Sequence, residues 1–317
     1  MEDADRFFDP DYAERFTRSE LTMLDEKAKS YAAEAGYRES LYELAHRVGD
    51  HRHLGEVLRR TGVGLLRPDA IAYRRADDAL DYFARLGIRP GGVVPVDVTR
   101  QGVRELWRYQ LNTASGERLR LLDLVFEASP ALLVLFDADP GTPAVPCTVL
   151  MADCKGPAAA EDRQGWELRT FLGSPNRVEV YVHCCDEPAD VVRDGGLLAG
   201  PDVFARAFAD DRDPRAGEAV RSMARELAGS VRRDVPEGFA PRFQRFLGRS
   251  GEHHTDRWAL LREVAQNCAM VAGPGETLIS RSGISLWWEH AATLPERHKY
   301  FASRTGWTGG DLTEPLD

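Results

Sequence analysis

Arg177-Val-Glu-Val-Tyr-Val-His183-Cys-Cys-Asp186-Glu-Pro-Ala-Asp190-Val-Val-Arg-Asp194 carries the change of period on which the fold turns. Its first seven residues alternate, as a strand with one buried face does, so the pattern predicts a strand over 177–183. Glu187-Pro188 then opens a run at helical spacing, and a helix is expected over 187–194. A histidine thus ends a strand, an aspartate follows three positions on, and Asp194 sits eleven positions on within a helix.

Three further strands are legible upstream. Val63-Gly-Leu-Leu66 is an apolar run stopped by Arg67-Pro68-Asp69, which predicts a buried strand over 62–66. Gly91–Val98 predicts a strand over 92–98, with Pro95 marking an edge or bulge. Ala131–Phe136 predicts a third over 131–137. Helical spacing fills the intervals at Asp77–Leu86, Gln101–Leu111, Glu117–Phe126 and Cys147–Asp153. The order β-α-β-α-α-β-α-β-α gives an α+β class. It predicts the split βαβ arrangement of ferredoxin-like folds, a four-stranded antiparallel sheet with helices on one face. Residues 1–60 read as an N-terminal helical segment, with capping-box patterns at Thr17-x-x-Glu20 and Ser40-x-x-Glu43. Residues 61–196 form the sheet domain. Residues 197–317 read as a C-terminal helical domain, with helices at Val203–Phe208, Glu218–Val231 and Thr255–Val271.

Composition narrows the function. The 317 residues carry 41 basic and 51 acidic side chains, a net charge of −10. That balance argues against nonspecific nucleic-acid binding, which needs a basic face. No apolar run approaches the roughly 18–20 residues of a membrane span. The acidic start, Met1-Glu-Asp-Ala-Asp, lacks the apolar core of a secretory signal. Five cysteines form no disulfide framework and no paired CxxC, so a reduced, cytoplasmic protein is expected. Only four lysines stand against 37 arginines, which singles out Lys155. His46, His51 and His53 cluster in sequence, but Asp50-His-Arg-His53 reads as a solvated turn rather than a metal site. His290 and His298, among tail tryptophans, read as packing, and Gly273-Pro-Gly275 as a helix stop. Cys184-Cys185 beside His183 invites a metal, but adjacent residues at a strand end point to opposite faces and chelate poorly, so none is expected.

The 177–194 stretch resembles the signature of the nucleoside diphosphate kinase family: a histidine, two small residues, an aspartate, and a helix bearing a glutamate eleven residues after the histidine. The likeness extends backwards in unbroken order. Leu65-Leu-Arg67-Pro68-Asp69-Ala-Ile resembles the family's first strand with its Lys-Pro-Asp. Phe83-Ala-Arg-Leu-Gly87 resembles its helix-to-strand passage, and the helix reaching Trp107 the one that bears a tyrosine near the phosphates. Ser129-Pro-Ala-Leu resembles the entry to its third strand. Leu150-Met151-Ala152 through Gly156-Pro157 is similar to its Thr-Asn-Pro passage, and Glu167-Leu-Arg169-Thr-Phe171 to its Thr-Ile-Arg-Gly-Asp-Phe. The likeness covers about residues 61–196.

The resemblance implies ping-pong phosphoryl transfer from ATP or another nucleoside triphosphate, with the Mg2+ that the nucleotide carries. His183 would be the nucleophile, Asp194 would hold its other ring nitrogen, and Arg67, Trp107, Lys155 and Arg169 would line the nucleotide and phosphate site. Departures from the family are specific. Lysine becomes Arg67, tyrosine becomes Trp107, a phosphate-binding arginine falls near Cys147, an asparagine becomes Val180, and the glutamate becomes Asp194. Contacts to sugar and base are therefore lost while the nucleophile and two or three cations persist. The expectation is weak, base-indifferent nucleotide binding, poor turnover on ordinary diphosphates, and a specialised small-molecule or nucleotide acceptor, in a protein able to form a homodimer. The rival expectations are a catalytically degenerate nucleotide-binding scaffold, and acid–base chemistry through His183.

Overall fold

Ala131–Phe136 is apolar at every position, which suits a strand covered on both faces rather than one. The computed structural model, which describes residues 4–49, 51–111, 114, 116–139, 145–210, 212–239, 243, 247 and 255–271, places it in the middle of a sheet. The strands are β1 (Thr61–Leu66), β2 (Ile88–Val96), β3 (Ala131–Ala138) and β4 (Val182–Cys184), in the order β2-β3-β1-β4. All three pairings are antiparallel, and Leu65 of β1 lies opposite His183 of β4. The fold is α+β.

Helices α1 (Pro10–Phe16), α2 (Asp25–Ala33), α3 (Ala35–Val48) and α4 (His51–Arg60) precede the sheet. Between β1 and β2 come α5 (Pro68–Ala72) and α6 (Ala76–Arg85). Between β2 and β3 come α7 (Arg100–Leu106), α8 (Arg108–Leu111) and α9 (Gly116–Phe126). Before β4 come α10 (Cys147–Lys155) and the single turn α11 (Leu168–Phe171). After it come α12 (Pro188–Ala199), α13 (Pro201–Ala209), α14 (Ala216–Ser230) and α15 (Arg257–Val271). One-sided coverage of the sheet is not observed. Val63, Leu65, Leu133 and Leu135 face a core shared with α3, α9, α12, α13 and α15. Leu66, Leu132, Val134, Phe136 and Cys184 face a second core built with α6, α10 and α14. Close packing there explains Gly62: a Cβ would lie 2.3 Å from Met151 Sδ.

The chain departs from the sequence reading at defined points. The strand expected over 177–183 shrinks to Val182–Cys184 because side chains take its backbone groups. Asn176 Oδ1 accepts from the amides of Val178 and Glu179, Arg67 Nη2 donates to Val178 O at 2.7 Å, and Asp69 Oδ2 accepts from Tyr181 N at 3.0 Å. Tyr181 is also left-handed, at φ 63°, which ends the extended run. β2 starts three residues before Gly91, and its irregularity falls between Pro90 and Gly92 rather than at Pro95. It is an edge strand, as a proline there requires. The helix expected over 101–111 breaks at Trp107, whose ψ of 36° is non-helical. His51 and His53 begin a helix rather than form a turn. The helix expected over 187–194 runs on to Ala199, straight through Gly195-Gly196.

Candidate functional site

β4 and α12 build the centre of the site. Alternation along the strand sends Val182 and Cys184 into the second core and leaves His183 and Cys185 on the opposite face. The Asp186–Glu187 turn then reverses the chain, and α12 carries Asp194 back over His183. His183 Nε2 lies 3.1 Å from Asp194 Oδ2. Cys185 Sγ donates to the same oxygen at 3.6 Å, and Arg193 Nη1 lies 3.6 Å from Oδ1. The Asp194 side chain is 7% exposed and His183 16%, so the imidazole is the part of the pair that solvent reaches.

The N-terminal segment fixes α12. Glu187 and Asp190 form a reciprocal cap at its start. Both carboxylates also receive Lys27 Nζ, at 2.9 and 2.6 Å, while Thr22 and Tyr31 hydroxyls complete their shells. Lys27 and Glu187 are buried, so breaking this pair from one side costs about 3–5 kcal/mol. One turn further, Arg193 Nε donates to Glu34 at 3.0 Å and Nη2 to Glu105 O at 3.0 Å. Burial works against the Arg193 charge, but Asp194, Tyr31 and Glu34 outweigh it and hold its pKa above the ordinary value. Burial, then the carboxylates of Asp194, Asp190 and Asp186, raise the Cys185 thiol well above its usual range. Cys185 is therefore a neutral S–H donor at pH 7.

The other residues expected at the site are placed as follows. Trp107 packs edge-on against His183, ring centres 5.4 Å apart and planes at 83°. Arg67 lies behind Trp107, its guanidinium carbon 5.8 Å from that ring and 5.2 Å from Phe126. It is 2% exposed and its Nε donates to Asp69 at 3.1 Å. Trp107 thus adjoins His183, and Arg67 stands one ring further away. Lys155 and Arg169 approach from α10 and α11, which pack into the second core. Lys155 Nζ donates to Cys184 O at 3.2 Å and Asp186 Oδ1 at 3.3 Å. Arg169 donates to Gly156 O at 2.6 Å and Val182 O at 3.4 Å. β4 is an edge strand, and these two cations cap the carbonyls that its open side presents. Cys147 faces the second core, its Sγ 4.0 Å from Met151 Sδ.

Cys185 was not anticipated as part of this group. The strand period was its signal: residues 183 and 185 share a face, whereas 184 and 185 do not. His253, His254, the 273–277 segment, His290 and His298 lie outside the described residues. Among the described residues no helix is long and apolar enough to cross a membrane. The chain matches no family model and no curated protein.

Proposed function

We propose that the protein is a nucleotide-dependent phosphotransferase working through a phosphohistidine at His183, with a specialised small-molecule or nucleotide acceptor. The contact between His183 Nε2 and Asp194 Oδ2, 3.1 Å long, carries this reading. An ionised carboxylate only accepts hydrogen bonds, so it selects the tautomer with the proton on Nε2 and the lone pair on Nδ1. Nδ1 attacks the γ-phosphorus of the triphosphate, and the bond to the β–γ bridging oxygen breaks, releasing the diphosphate. Asp194 stabilises the imidazolium character that develops at Nε2. An acceptor oxygen then attacks phosphorus, and the P–N bond breaks to restore the imidazole. Arg67 contributes positive charge from behind the Trp107 ring that packs on His183.

The strand order β2-β3-β1-β4, with β4 beside β1 and all pairs antiparallel, supports the finer reading of the sheet as a ferredoxin-like split βαβ. The same order suits the resemblance of residues 61–196 to nucleoside diphosphate kinases.

One observation favours the scaffold reading instead. Arg67, Lys155 and Arg169 are each 7% exposed or less and each donate to protein acceptors. Exchanging those acceptors for phosphate costs binding energy. Incubation with γ-labelled ATP separates the readings. Acid-labile label that is absent in His183→Ala supports phosphotransfer; nucleotide binding without label supports the scaffold.

A further inference from the structure

His183, Cys185 and Asp194 also form a second kind of site. Two residues apart along the strand, the imidazole and the thiol project from one face, and α12 sets a carboxylate over both. Nε2 and Oδ2 are 3.1 Å apart, Sγ and Oδ2 3.6 Å, and the ligand atoms of all three residues lie within 4.8 Å of one another. Tetrahedral Zn2+ with bonds of about 2.0 Å to N and O and about 2.3 Å to S separates N from O by roughly 3.3 Å and S from O by roughly 3.5 Å. Two of the three edges are already close to their metal-bound lengths.

We propose that His183 Nε2, Cys185 Sγ and Asp194 Oδ2 bind a divalent transition metal of the zinc class. One imidazole, one thiolate and one carboxylate form a borderline-soft set that favours such an ion over Mg2+ or Ca2+, which take oxygen ligands. Three protein ligands leave a fourth position for solvent or a small anion. Cys185 and Asp194 are buried and His183 is half-buried, so the open position lies on the histidine side. Binding releases the Cys185 thiol proton to solvent and moves the imidazole proton from Nε2 to Nδ1, with no change of oxidation state. Arg193 on the other Asp194 oxygen orients the carboxylate from outside the ligand set. A bound ion takes the two groups that otherwise hold each other, so metal binding and the orientation of His183 by Asp194 exclude one another. The inference stands on geometry and does not rest on phosphoryl transfer.

The test is titration of the reduced full-length chain with Co2+. The expected result is one equivalent bound, with a thiolate-to-metal charge-transfer band in the near ultraviolet and visible bands of tetrahedral intensity, all displaced by Zn2+. Cys185→Ser should abolish the charge-transfer band and weaken binding by roughly 100-fold or more, the upper end of the loss seen when only an outer partner is removed. Cys184→Ser, whose thiol faces the opposite core, should keep both. Absence of a thiolate band in the native chain overturns the proposal, as does its persistence in Cys185→Ser or its equal loss in both serine variants. If Cys185→Ser does not fold, His183→Gln at the half-buried position decides: unchanged affinity overturns the site. Failure of ATP labelling leaves these spectra untouched, so the two readings fail separately.

Discussion

An imidazole held at one nitrogen is a different reagent from a free one, and His183 is held by a carboxylate that itself has three donors around it. Asp194→Asn keeps the size but no longer forces the proton onto Nε2. Phosphohistidine formation should fall on the order of 10²-fold or more, the usual share of a positioned proton partner, and the melting temperature should fall as well, because the buried Arg193 loses a counter-charge. Asp194→Glu should retain part of the activity, because it restores the carboxylate; equal losses in both variants would assign Asp194 a packing role only. The pairing of His183 with Asp194 is an expectation from the resemblance of 177–194 to the kinase signature, and the strand, turn and helix between them bring the two side chains together. The partners of Lys155 and Arg169 are not legible in the sequence. Charge marks a residue as a phosphate ligand or a carbonyl cap alike, and only the open edge of β4 decides between them.

At the scale of elements, α12 places Asp194, and its glycines set how closely its neighbours approach. Gly195-Gly196 resembles a helix stop in the sequence, since nothing local says what packs there. In the fold a Cβ on Gly195 would lie 2.3 Å from the Phe204 ring, and one on Gly196 1.9 Å from Ser40 Oγ. The pair thus admits α13 on one side and α3 on the other. Gly195→Ala sets two effects against each other: better helix propensity, worth up to about 1 kcal/mol, and overpacking, which costs about 1–3 kcal/mol. Phe204 is fully buried and has no room to retreat, so net destabilisation is expected. The urea midpoint should drop, and Phe204→Leu in the same chain should restore part of it. The strand expected over 177–183 illustrates the same limit: alternation implies one buried face, yet Glu179 and Tyr181 are as buried as Val178, Val180 and Val182, and the partners Asn176, Arg67 and Asp69 lie beyond the reach of periodicity.

Across the whole molecule, one core runs from Phe7 through the sheet to Ala265, so both flanks contribute to it. α15 adds an electrostatic clamp on the segment that leads into β4. Arg262 donates to the fully buried Glu179 at 3.4 Å and to Tyr181 OH at 3.4 Å, and its guanidinium lies over Tyr73 at 4.4 Å. Burial raises the Glu179 pKa above its ordinary value, and Arg262, Asn176 and Tyr73 pull it back only in part. The native state therefore binds this proton more tightly than the unfolded chain. Its ionisation costs nothing below the ordinary carboxylate value of about 4.3, and the cost grows as pH rises towards and through the folded pKa. Arg262→Gln removes the counter-charge, so its effect should appear at neutral pH and fade in acid. The loss at pH 7 should be about 1–2 kcal/mol, less than the roughly 3–5 kcal/mol of a fully buried pair, because the Arg262 side chain is 39% exposed to screening solvent. Glu179→Gln should be more stable than the native chain at pH 7 and equal to it near pH 4, and it should cancel most of the Arg262→Gln loss. Urea midpoints at the two pH values check each statement. An Arg262→Gln loss of equal size at both would mean that α15 holds this segment through the Tyr73 and Tyr181 rings rather than through charge.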